Sequence, residues 1–336
     1  MKPRSDSDFP PIQQRLMAFV RDRFGSRGDQ YSISKLVGDA SSRQYYRLVR
    51  ENGESFILAA YPEPFNAREF PYKQVYDLLT EIGLPVPRML ALDGEHGIVL
   101  QQDLGDETLK KRLVKASPQE RQAYFRRAID HMVTLQEEGT RALRPHWTAY
   151  HLAFDEEKLR WELRFFKRYY VDHYRKLSLT QGVALEEEFD DLAQELSRRP
   201  LRLCHRDYHV RNLMLHEDRL FLIDFQDARR GPLTYDLVSL LKDSIDLPQT
   251  ELSSLVSYYR SRSPQPVPEE DFLREFELMS VQRLLKALGT YAYQIVVREN
   301  FIYEQYVRGS LQRALRSVQA LDSFPRIRDL LRSELD

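Results

Sequence analysis

The chain has 336 residues, of which 42% are hydrophobic and 30% are charged, as is ordinary for a globular protein. Fifty Lys and Arg against fifty-one Asp and Glu give a net charge of −1, which excludes a globally basic nucleic-acid-binding protein. Apolar runs such as Leu220–Ile223 are far shorter than the roughly 20 residues of a membrane span. The start of the sequence shows no apolar signal segment, and the single cysteine, Cys204, cannot form an internal disulfide. We therefore expect a cytoplasmic protein with no nucleic-acid or membrane partner, and we predict no protein partner.

Strand signals dominate the first hundred residues. Asn52-Gly53 is a strong signal for a hairpin turn between two of these strands. A helix is predicted where apolar residues recur at helical spacing between positions 75 and 82, before Gly83 and Pro85 end it. The pattern of aromatic and aliphatic residues predicts strands at 31–37, 45–49, 55–61, 89–92 and 98–100.

After residue 102 the pattern becomes mainly helical. Ser117 with Glu120 forms a capping box that predicts a helix start, and Asp155 is typical of a second N-cap. Short apolar runs at 201–204, 213–215 and 220–223 predict strands within these helical surroundings, and a Pro/Ser loop interrupts the later helices at 263–268. The predicted fold class is α+β, with a small, mainly β lobe at 1–102 and a large, mainly α lobe at 103–336.

One segment carries residues suited to phosphoryl transfer. His205-Arg206-Asp207 and Asn212 form the pattern H-R-D-x-x-x-x-N, and Asp224 follows seventeen residues after Asp207. Phosphoryl transfer requires a carboxylate to orient the attacking hydroxyl, and Mg²⁺ is held by hard oxygen ligands. The spacing therefore predicts that Asp207 is catalytic and that Asn212 and Asp224 bind Mg²⁺. Each residue taken singly is also typical of turns and caps, so the prediction depends on the whole set.

The same segment resembles the aminoglycoside phosphotransferase and choline-kinase branch of the protein-kinase-like fold. It is most similar to bacterial anomeric kinases of N-acetylmuramate and N-acetylglucosamine, on the residues at 205–214 and 224–228. Further similar stretches bring the resemblance to about residues 30–320: 37–48, 84–87, 102–106, 231–236 and 282–289. The resemblance implies a bilobal fold, ATP and Mg²⁺ as cofactors, and phosphorylation of an anomeric hydroxyl in cell-wall recycling.

The resemblance also assigns a nucleotide site to the N-terminal lobe. Gly38, Ser41 and Ser42 match the phosphate-covering loop, and Arg43 could add positive charge there. A hairpin turn is the alternative interpretation of these residues, because the loop has a single glycine. The third predicted strand, at 55–61, lacks the lysine that grips ATP phosphates in the wider kinase pattern.

On the acceptor side, Asp227 leaves the same strand end as Asp224 and is a candidate for contact with substrate. Arg211 and Arg229 flank the site, and an arginine fork would suit a lactyl carboxylate, although a surface role is the alternative for each. The resemblance implies structural roles for His205 and Asp236.

Two further alternatives stay open at this point. The acceptor could be an aminoglycoside, a choline-like amine or another small metabolite. A non-catalytic kinase-like binding protein is the alternative of another class, favoured by the missing lysine and the sparse glycine loop.

Overall fold

The computed structural model describes residues 9–25, 31–36, 43–177, 182–243, 245–263 and 267–336. The chain divides into two compact units. Unit one comprises Met1–Glu107 with Met214–Gln226, and unit two comprises Thr108–Leu213 with Asp227–Asp336. The lobe boundary at residue 102 stays a prediction, and the contiguous division that it assumed differs from these units at residues 103–107 and at Met214–Gln226.

The strands in the described part of the chain are short. In chain order they are β1 (Tyr31–Lys35), β2 (Gln44–Arg50), β3 (Ser55–Ala60), β4 (Met89–Asp93), β5 (Ile98–Gln102), β6 (Leu201–Cys204), β7 (Leu213–His216), β8 (Arg219–Leu222) and β9 (Arg229–Pro232). The helices are α1 (Ile12–Phe24), α2 (Pro71–Glu81), α3 (Leu109–Lys115), α4 (Pro118–Thr134), α5 (Thr140–Ala142), α6 (Thr148–His151), α7 (Glu156–Phe166), α8 (Gly182–Ser197), α9 (Tyr235–Val238), α10 (Gln249–Arg262), α11 (Glu269–Arg298), α12 (Glu304–Gln319) and α13 (Pro325–Ser333). Three helices, α4, α7 and α9, continue into π-helical turns. Among the helices of the described residues, none combines the length and apolarity needed to cross a membrane.

Unit one contains an antiparallel sheet with the strand order β1-β2-β3-β5-β4 within the described residues. The predicted hairpin at Asn52-Gly53 is confirmed, because the Arg50 N–H donates to the Glu54 carbonyl at 2.8 Å. Gly53 has a φ of +85°, which a residue without Cβ adopts at little cost. The predicted strands of this region match β1 to β5 to within two residues at each end.

Helix α1 was not predicted from the sequence. Leu16, Phe19 and Val20 are buried in the core of unit one against the sheet. Arg15, on the same helix, is only 4% exposed and donates to the carbonyls of Tyr61 at 2.7 Å and His96 at 2.5 Å. The helix is therefore fixed by tertiary packing and by a buried guanidinium, which a local apolar pattern does not reveal.

The β7–β8 hairpin joins unit one through backbone hydrogen bonds. The Leu222 N–H donates to the Pro85 carbonyl at 2.8 Å. Just beyond this strand, the Phe225 ring stacks on Tyr72 of α2 at 5.0 Å. The Tyr72 hydroxyl in turn donates to the side chain of Gln101 at 2.8 Å. These contacts fix the backbone on either side of Asp224 to the sheet and to α2.

Unit two contains the predicted helix starts and one unpredicted strand. The capping box of Ser117 and Glu120 is present, and the Asp155 carboxylate accepts from the Lys158 N–H at 2.8 Å. Strand β6 pairs with β9 in antiparallel register, with Cys204 opposite Arg229. The sequence Arg-Arg-Gly-Pro of β9 shows no apolar alternation, so the pattern did not predict a strand there.

The long helix α11 crosses unit two and is buried along most of its length. Gly289 lies where α11 meets the end of α7, and a Cβ there would come within 2.7 Å of the Phe166 Cα. The opposing atoms are backbone, so the two helices approach this closely only because residue 289 has no side chain.

We expect Gly289→Ala to lower the free energy of unfolding by about 1–3 kcal/mol, the usual cost of overpacking. The matched control is Gly309→Ala in α12, where a Cβ meets only the end of the Arg313 side chain at 3.3 Å. This control should be neutral or more stable than the wild type by up to about 1 kcal/mol, because alanine favours helix. Urea unfolding followed by circular dichroism measures both, and equal shifts would contradict the packing argument.

Candidate active site

The loop between β6 and β7 carries Asp207 and Asn212, and a buried carboxylate holds its first turn. The Asp236 side chain, 0% exposed, accepts from the backbone N–H of His205 at 2.6 Å and of Arg206 at 3.1 Å. Arg206 has a φ of +82°, a conformation that non-glycine residues rarely adopt. The two hydrogen bonds compensate for this backbone strain. They place Asp207 at the exit of the turn.

Burial raises the pKa of Asp236 to about 7, although the backbone hydrogen bonds from His205 and Arg206 and the charge of Arg283 favour the ionised form. Desolvation of a fully buried carboxylate is the dominant cause. The position of Asp236 at the start of α9 and its two backbone contacts suit a residue that shapes the loop.

Asp207 lies in a strongly positive environment. Burial by itself would raise its pKa, but the charges of Lys286, Arg206 and Arg283 hold the pKa of Asp207 well below its usual range. The Arg283 Nη2 lies 3.7 Å from Asp207 Oδ1, and the Arg206 Nε lies 3.8 Å from Oδ2. The side chain is 26% exposed. Asp207 is therefore a carboxylate at neutral pH that a ligand hydroxyl can reach.

Arg283 is a neighbour of Asp207 to which the sequence motif assigns no role. Its guanidinium, 2% exposed, donates to the Arg206 carbonyl at 2.8 Å and to the Asp243 carboxylate at 2.9 Å. Burial would raise the pKa of Asp243, but Arg283 lowers it. The stretch 282–289 that carries this arginine was part of the resemblance, but no role was assigned to the arginine.

Asn212 presents an amide oxygen. Its backbone N–H donates to the His209 carbonyl at 2.8 Å, and its Nδ2 donates to the Asp207 carbonyl at 2.9 Å. The Oδ1 accepts no hydrogen bond from the described residues. Because the amide nitrogen is committed to the loop, the orientation of the oxygen is fixed, as a metal ligand requires.

Asp224, in unit one, follows β8 with a φ of +64°. Its Oδ1 accepts from Arg43 at 2.6 Å and from Gln226 at 3.1 Å. Its Oδ2 accepts no hydrogen bond within the part of the chain that the structure describes. A strained backbone at a polar position is typical of functional sites, and the second oxygen is suited to a cation.

The available donor atoms are typical of a Mg²⁺ site that phosphate oxygens and water complete, and not of a metal site made from protein ligands alone. No group of three His, Cys, Asp or Glu side chains that could hold a metal occurs among the described residues. Mg²⁺ is usually held by one or two carboxylates together with phosphate oxygens and water. Asp224 offers a carboxylate and Asn212 an amide oxygen, and both are hard donor atoms of the kind that Mg²⁺ prefers.

Arg43 pairs with Asp224 and is 10% exposed. Its guanidinium lies 6.0 Å from the Tyr45 ring centroid and 5.8 Å from that of Tyr61. Burial would lower the pKa of Arg43, but Tyr45 and Asp224 raise it. Arg47, within β2, is committed to Asp103 at 2.7 Å and to Asp106 at 2.9 Å.

The other predicted site residues have different positions. Gly38, Ser41 and Ser42 lie outside the described residues. Asp227 pairs with Arg206 at 3.3 Å and is 47% exposed. Arg211 is half-buried and forms no ion pair with a carboxylate in the described chain. His205 is buried, with its ring edge-on to Tyr208 at 5.6 Å.

His209 has no charge to contribute at neutral pH. Burial lowers its pKa to about 4, against the charge of Asp243. Cys204 is completely buried at the end of β6, where burial raises the thiol pKa well above its usual value. Neither side chain is suited to acid–base or nucleophilic chemistry at neutral pH.

Comparison with known proteins gives a consistent result. Residues 32–276 match the model of the phosphotransferase enzyme family. The chain is 34% identical to the N-acetylmuramate/N-acetylglucosamine kinase of Pseudomonas aeruginosa, over 76% of this chain and 74% of that protein. It is 33% identical to the protein of the same name from Neisseria meningitidis, over 78% of each chain.

Solved structures with the same fold include a choline kinase from Cryptosporidium parvum Iowa II, with a TM-score of 0.62 and 12% identity over 92% of this chain and 96% of that one. An ADP-bound aminoglycoside phosphotransferase is similar at a TM-score of 0.59 and 13% identity, over 88% and 99% of the two chains. These likenesses confirm the predicted α+β protein-kinase-like fold, and the sequence relatives confirm the family resemblance.

The lowered pKa of Asp207 predicts a pH-dependent stability difference. In the unfolded chain an aspartate titrates near pH 4, whereas the folded protein keeps Asp207 ionised to lower pH. The carboxylate therefore contributes stability above about pH 4, which is lost as the pH falls toward the folded pKa. We expect Asp207→Asn to be less stable than the wild type by about 1–2 kcal/mol at pH 7, with the difference shrinking below about pH 4.

Urea unfolding of both proteins between pH 3.5 and pH 8 measures this difference. Asp329→Asn, whose carboxylate is 56% exposed on α13, serves as the control and should differ little from the wild type throughout. A stability difference for Asp207→Asn that stays constant with pH would contradict the assignment.

Proposed function

This chain belongs to the phosphotransferase enzyme family, and we propose that it transfers the terminal phosphoryl group of Mg²⁺-ATP to the anomeric hydroxyl of N-acetylmuramate or N-acetylglucosamine. The observation that carries the proposed chemistry is the ionised, solvent-accessible carboxylate of Asp207 on the same loop as the uncommitted amide oxygen of Asn212. The sugar acceptor is favoured by relatives that are 33–34% identical and are named for it.

Asp207 would accept a hydrogen bond from the acceptor hydroxyl and align its oxygen with the phosphorus. Its low pKa makes it a weak base, which suits a loose transition state in which the hydroxyl proton leaves late. Arg283 and Arg206 would keep the carboxylate ionised while the hydroxyl is bound. His205 and Asp236 would hold the turn that positions it.

When bound, Mg²⁺ neutralises charge on the phosphate oxygens and orients them. Asn212 and Asp224 remain the Mg²⁺ ligands proposed from the sequence, one through an amide oxygen and the other through a carboxylate. Family membership supports the use of ATP, and the Mg²⁺ ligands rest on the donor atoms described above. Gly38, Ser41 and Ser42 remain proposed phosphate contacts from the sequence.

We assign to Arg43 the charge that the missing strand lysine would supply. Strand β3 contains no lysine, and Ala60 at its end pairs with Gln44, the residue next to Arg43. The Arg43 guanidinium lies 2.6 Å from Asp224, the proposed Mg²⁺ ligand. A cation beside this carboxylate is placed to contact the phosphates that the metal binds.

On the acceptor side, Asp227 and Arg211 are proposed substrate contacts. Aminoglycosides and choline-like amines remain the alternative acceptors, but the solved structures that carry those names share only 12–13% identity with this chain, which supports the fold alone. The non-catalytic alternative is disfavoured, because a binding module has no need to keep Asp207 ionised and accessible. A cytoplasmic location stays a prediction from the sequence.

ADP release coupled to NADH oxidation tests the proposal with N-acetylmuramate, N-acetylglucosamine, choline and kanamycin. We expect turnover on the two amino sugars and a loss of kcat of about 100- to 10,000-fold in Asp207→Asn. Full activity in Asp207→Asn would remove the proposed role of this carboxylate. Turnover only on choline or kanamycin would replace the acceptor while retaining the kinase.

Arg43→Met should raise the KM for ATP about 10- to 100-fold, the loss expected for charge-assisted hydrogen bonds to phosphate. Arg43→Lys should recover part of the affinity. Arg47→Met is the matched control, since Arg47 is neutralised by Asp103 and Asp106. Equal KM values for ATP in the wild type and Arg43→Met would show that another cation serves the phosphates.

A further inference from the structure

Arg229 is a cation without an acidic partner close to the catalytic loop. It begins β9 directly opposite Cys204. Cys204 lies three residues before Asp207 in the sequence. Its Nε donates to the Asp227 carbonyl at 3.2 Å, and its guanidinium lies 5.3 Å from the centroid of the Phe154 ring. Within the described residues, no carboxylate lies within ion-pair distance of it.

The acidic groups around Arg229 are committed elsewhere. The Asp227 carboxylate pairs with Arg206 at 3.3 Å. Glu162, only 1% exposed, accepts from Gln282 at 2.9 Å and faces the Lys158 ammonium at 3.6 Å. Among the described residues, the nearby carboxylates are therefore engaged by other cations and leave the Arg229 guanidinium without an ion pair.

Lys158 and Arg206 add to the positive charge around Arg229. Burial lowers the pKa of Arg229 and the charge of Arg206 lowers it further, while Tyr235, Asp227 and Glu162 oppose these effects without reversing them. Burial also lowers the pKa of Lys158; Glu162 opposes that effect, while Arg229 and Arg206 reinforce it. The three cations therefore repel one another, and an anion among them would relieve the repulsion.

The cluster is connected to the reaction centre by Arg206. Its Nη1 contacts Asp227, and its Nε lies 3.8 Å from Asp207. The backbone carbonyl of the same Asp227 accepts from Arg229, so Arg206 and Asp227 link Arg229 to Asp207. Aromatic faces adjoin the cluster, since Phe154 lies against Arg229 and Trp161 lies 3.9 Å from the Lys158 ammonium.

We propose that Arg229 binds a carboxylate of the acceptor, with Arg206 and Lys158 supplying the surrounding positive potential. The inference rests on the proposed function and deepens it. N-acetylmuramate carries a lactyl carboxylate where N-acetylglucosamine has a hydroxyl, so Arg229 would distinguish the two sugars. A planar guanidinium is suited to bind both carboxylate oxygens at once.

The test compares N-acetylmuramate, its lactyl carboxamide and N-acetylglucosamine as acceptors for the wild type, Arg229→Met and Arg230→Met. Arg230 is the matched control, because neighbouring residues of a strand point to opposite faces and its guanidinium lies over Tyr150 at 5.2 Å.

We expect Arg229→Met to lower kcat/KM for N-acetylmuramate about 10- to 100-fold, as for the loss of a charge-assisted hydrogen bond. Its kcat/KM for N-acetylglucosamine should stay within about threefold of the wild type. For the wild type, kcat/KM should be lower with the carboxamide than with the acid by a similar factor. For Arg229→Met, kcat/KM should be nearly the same with the two acceptors. Arg230→Met should behave as the wild type.

An equal loss on both sugars in Arg229→Met would overturn the inference, as would a wild type that uses the carboxamide as well as the acid. This second comparison needs no variant, so it decides the question if Arg229→Met fails to fold. A wild type that phosphorylates N-acetylglucosamine but shows no dependence on the carboxylate would overturn the subsite alone. A wild type inactive on all three acceptors would overturn the proposed function and the subsite together.

Discussion

The buried guanidinium of Arg283 links the parts of unit two on which the proposed chemistry depends. It donates to the Arg206 carbonyl in the turn before Asp207 and to the Asp243 carboxylate, and it lies 3.7 Å from Asp207 itself. One side chain thus fixes the backbone of the loop and supplies part of the charge that keeps Asp207 ionised. A buried arginine is costly unless its donors are satisfied. Here a carbonyl and a carboxylate accept from Nη1 and Nη2, while Nε has no hydrogen-bond partner among the described residues.

Two aspartates in this region have opposite pKa shifts, although both are close to Arg283. The pKa of Asp236 is raised to about 7 by complete burial, whereas the pKa of Asp207 is lowered because Lys286, Arg206 and Arg283 outweigh its burial. The difference arises from accessibility and the number of nearby cations. It separates a residue that shapes the loop from one that can meet a ligand hydroxyl.

Local patterns were sufficient to predict much of this protein. Asn52-Gly53 predicted the hairpin that the structure shows, because a few neighbouring residues determine such a turn. The H-R-D-x-x-x-x-N spacing predicted roles for Asp207 and Asn212, and the structure places both on the loop between β6 and β7. Helix α1 and the role of Arg283 were missed, because both depend on partners distant in the sequence: Arg15 on Tyr61 and His96, and Arg283 on Arg206. Strand β9 was missed since its pairing with β6, rather than an apolar pattern, makes it a strand.

Under the proposed function, Arg43 supplies the positive charge of the strand lysine that the wider kinase pattern has and that β3 lacks. Ala59 and Ala60, the last two residues of β3, are small and buried. Arg43 instead approaches from the start of β2, with Tyr45 and Tyr61 beside its guanidinium. An arginine is longer than a lysine and fans its donors in a plane. It can therefore reach the carboxylate of Asp224 from the neighbouring strand. On the proposed function, the cation at the phosphates therefore comes from the residue before β2 and not from β3.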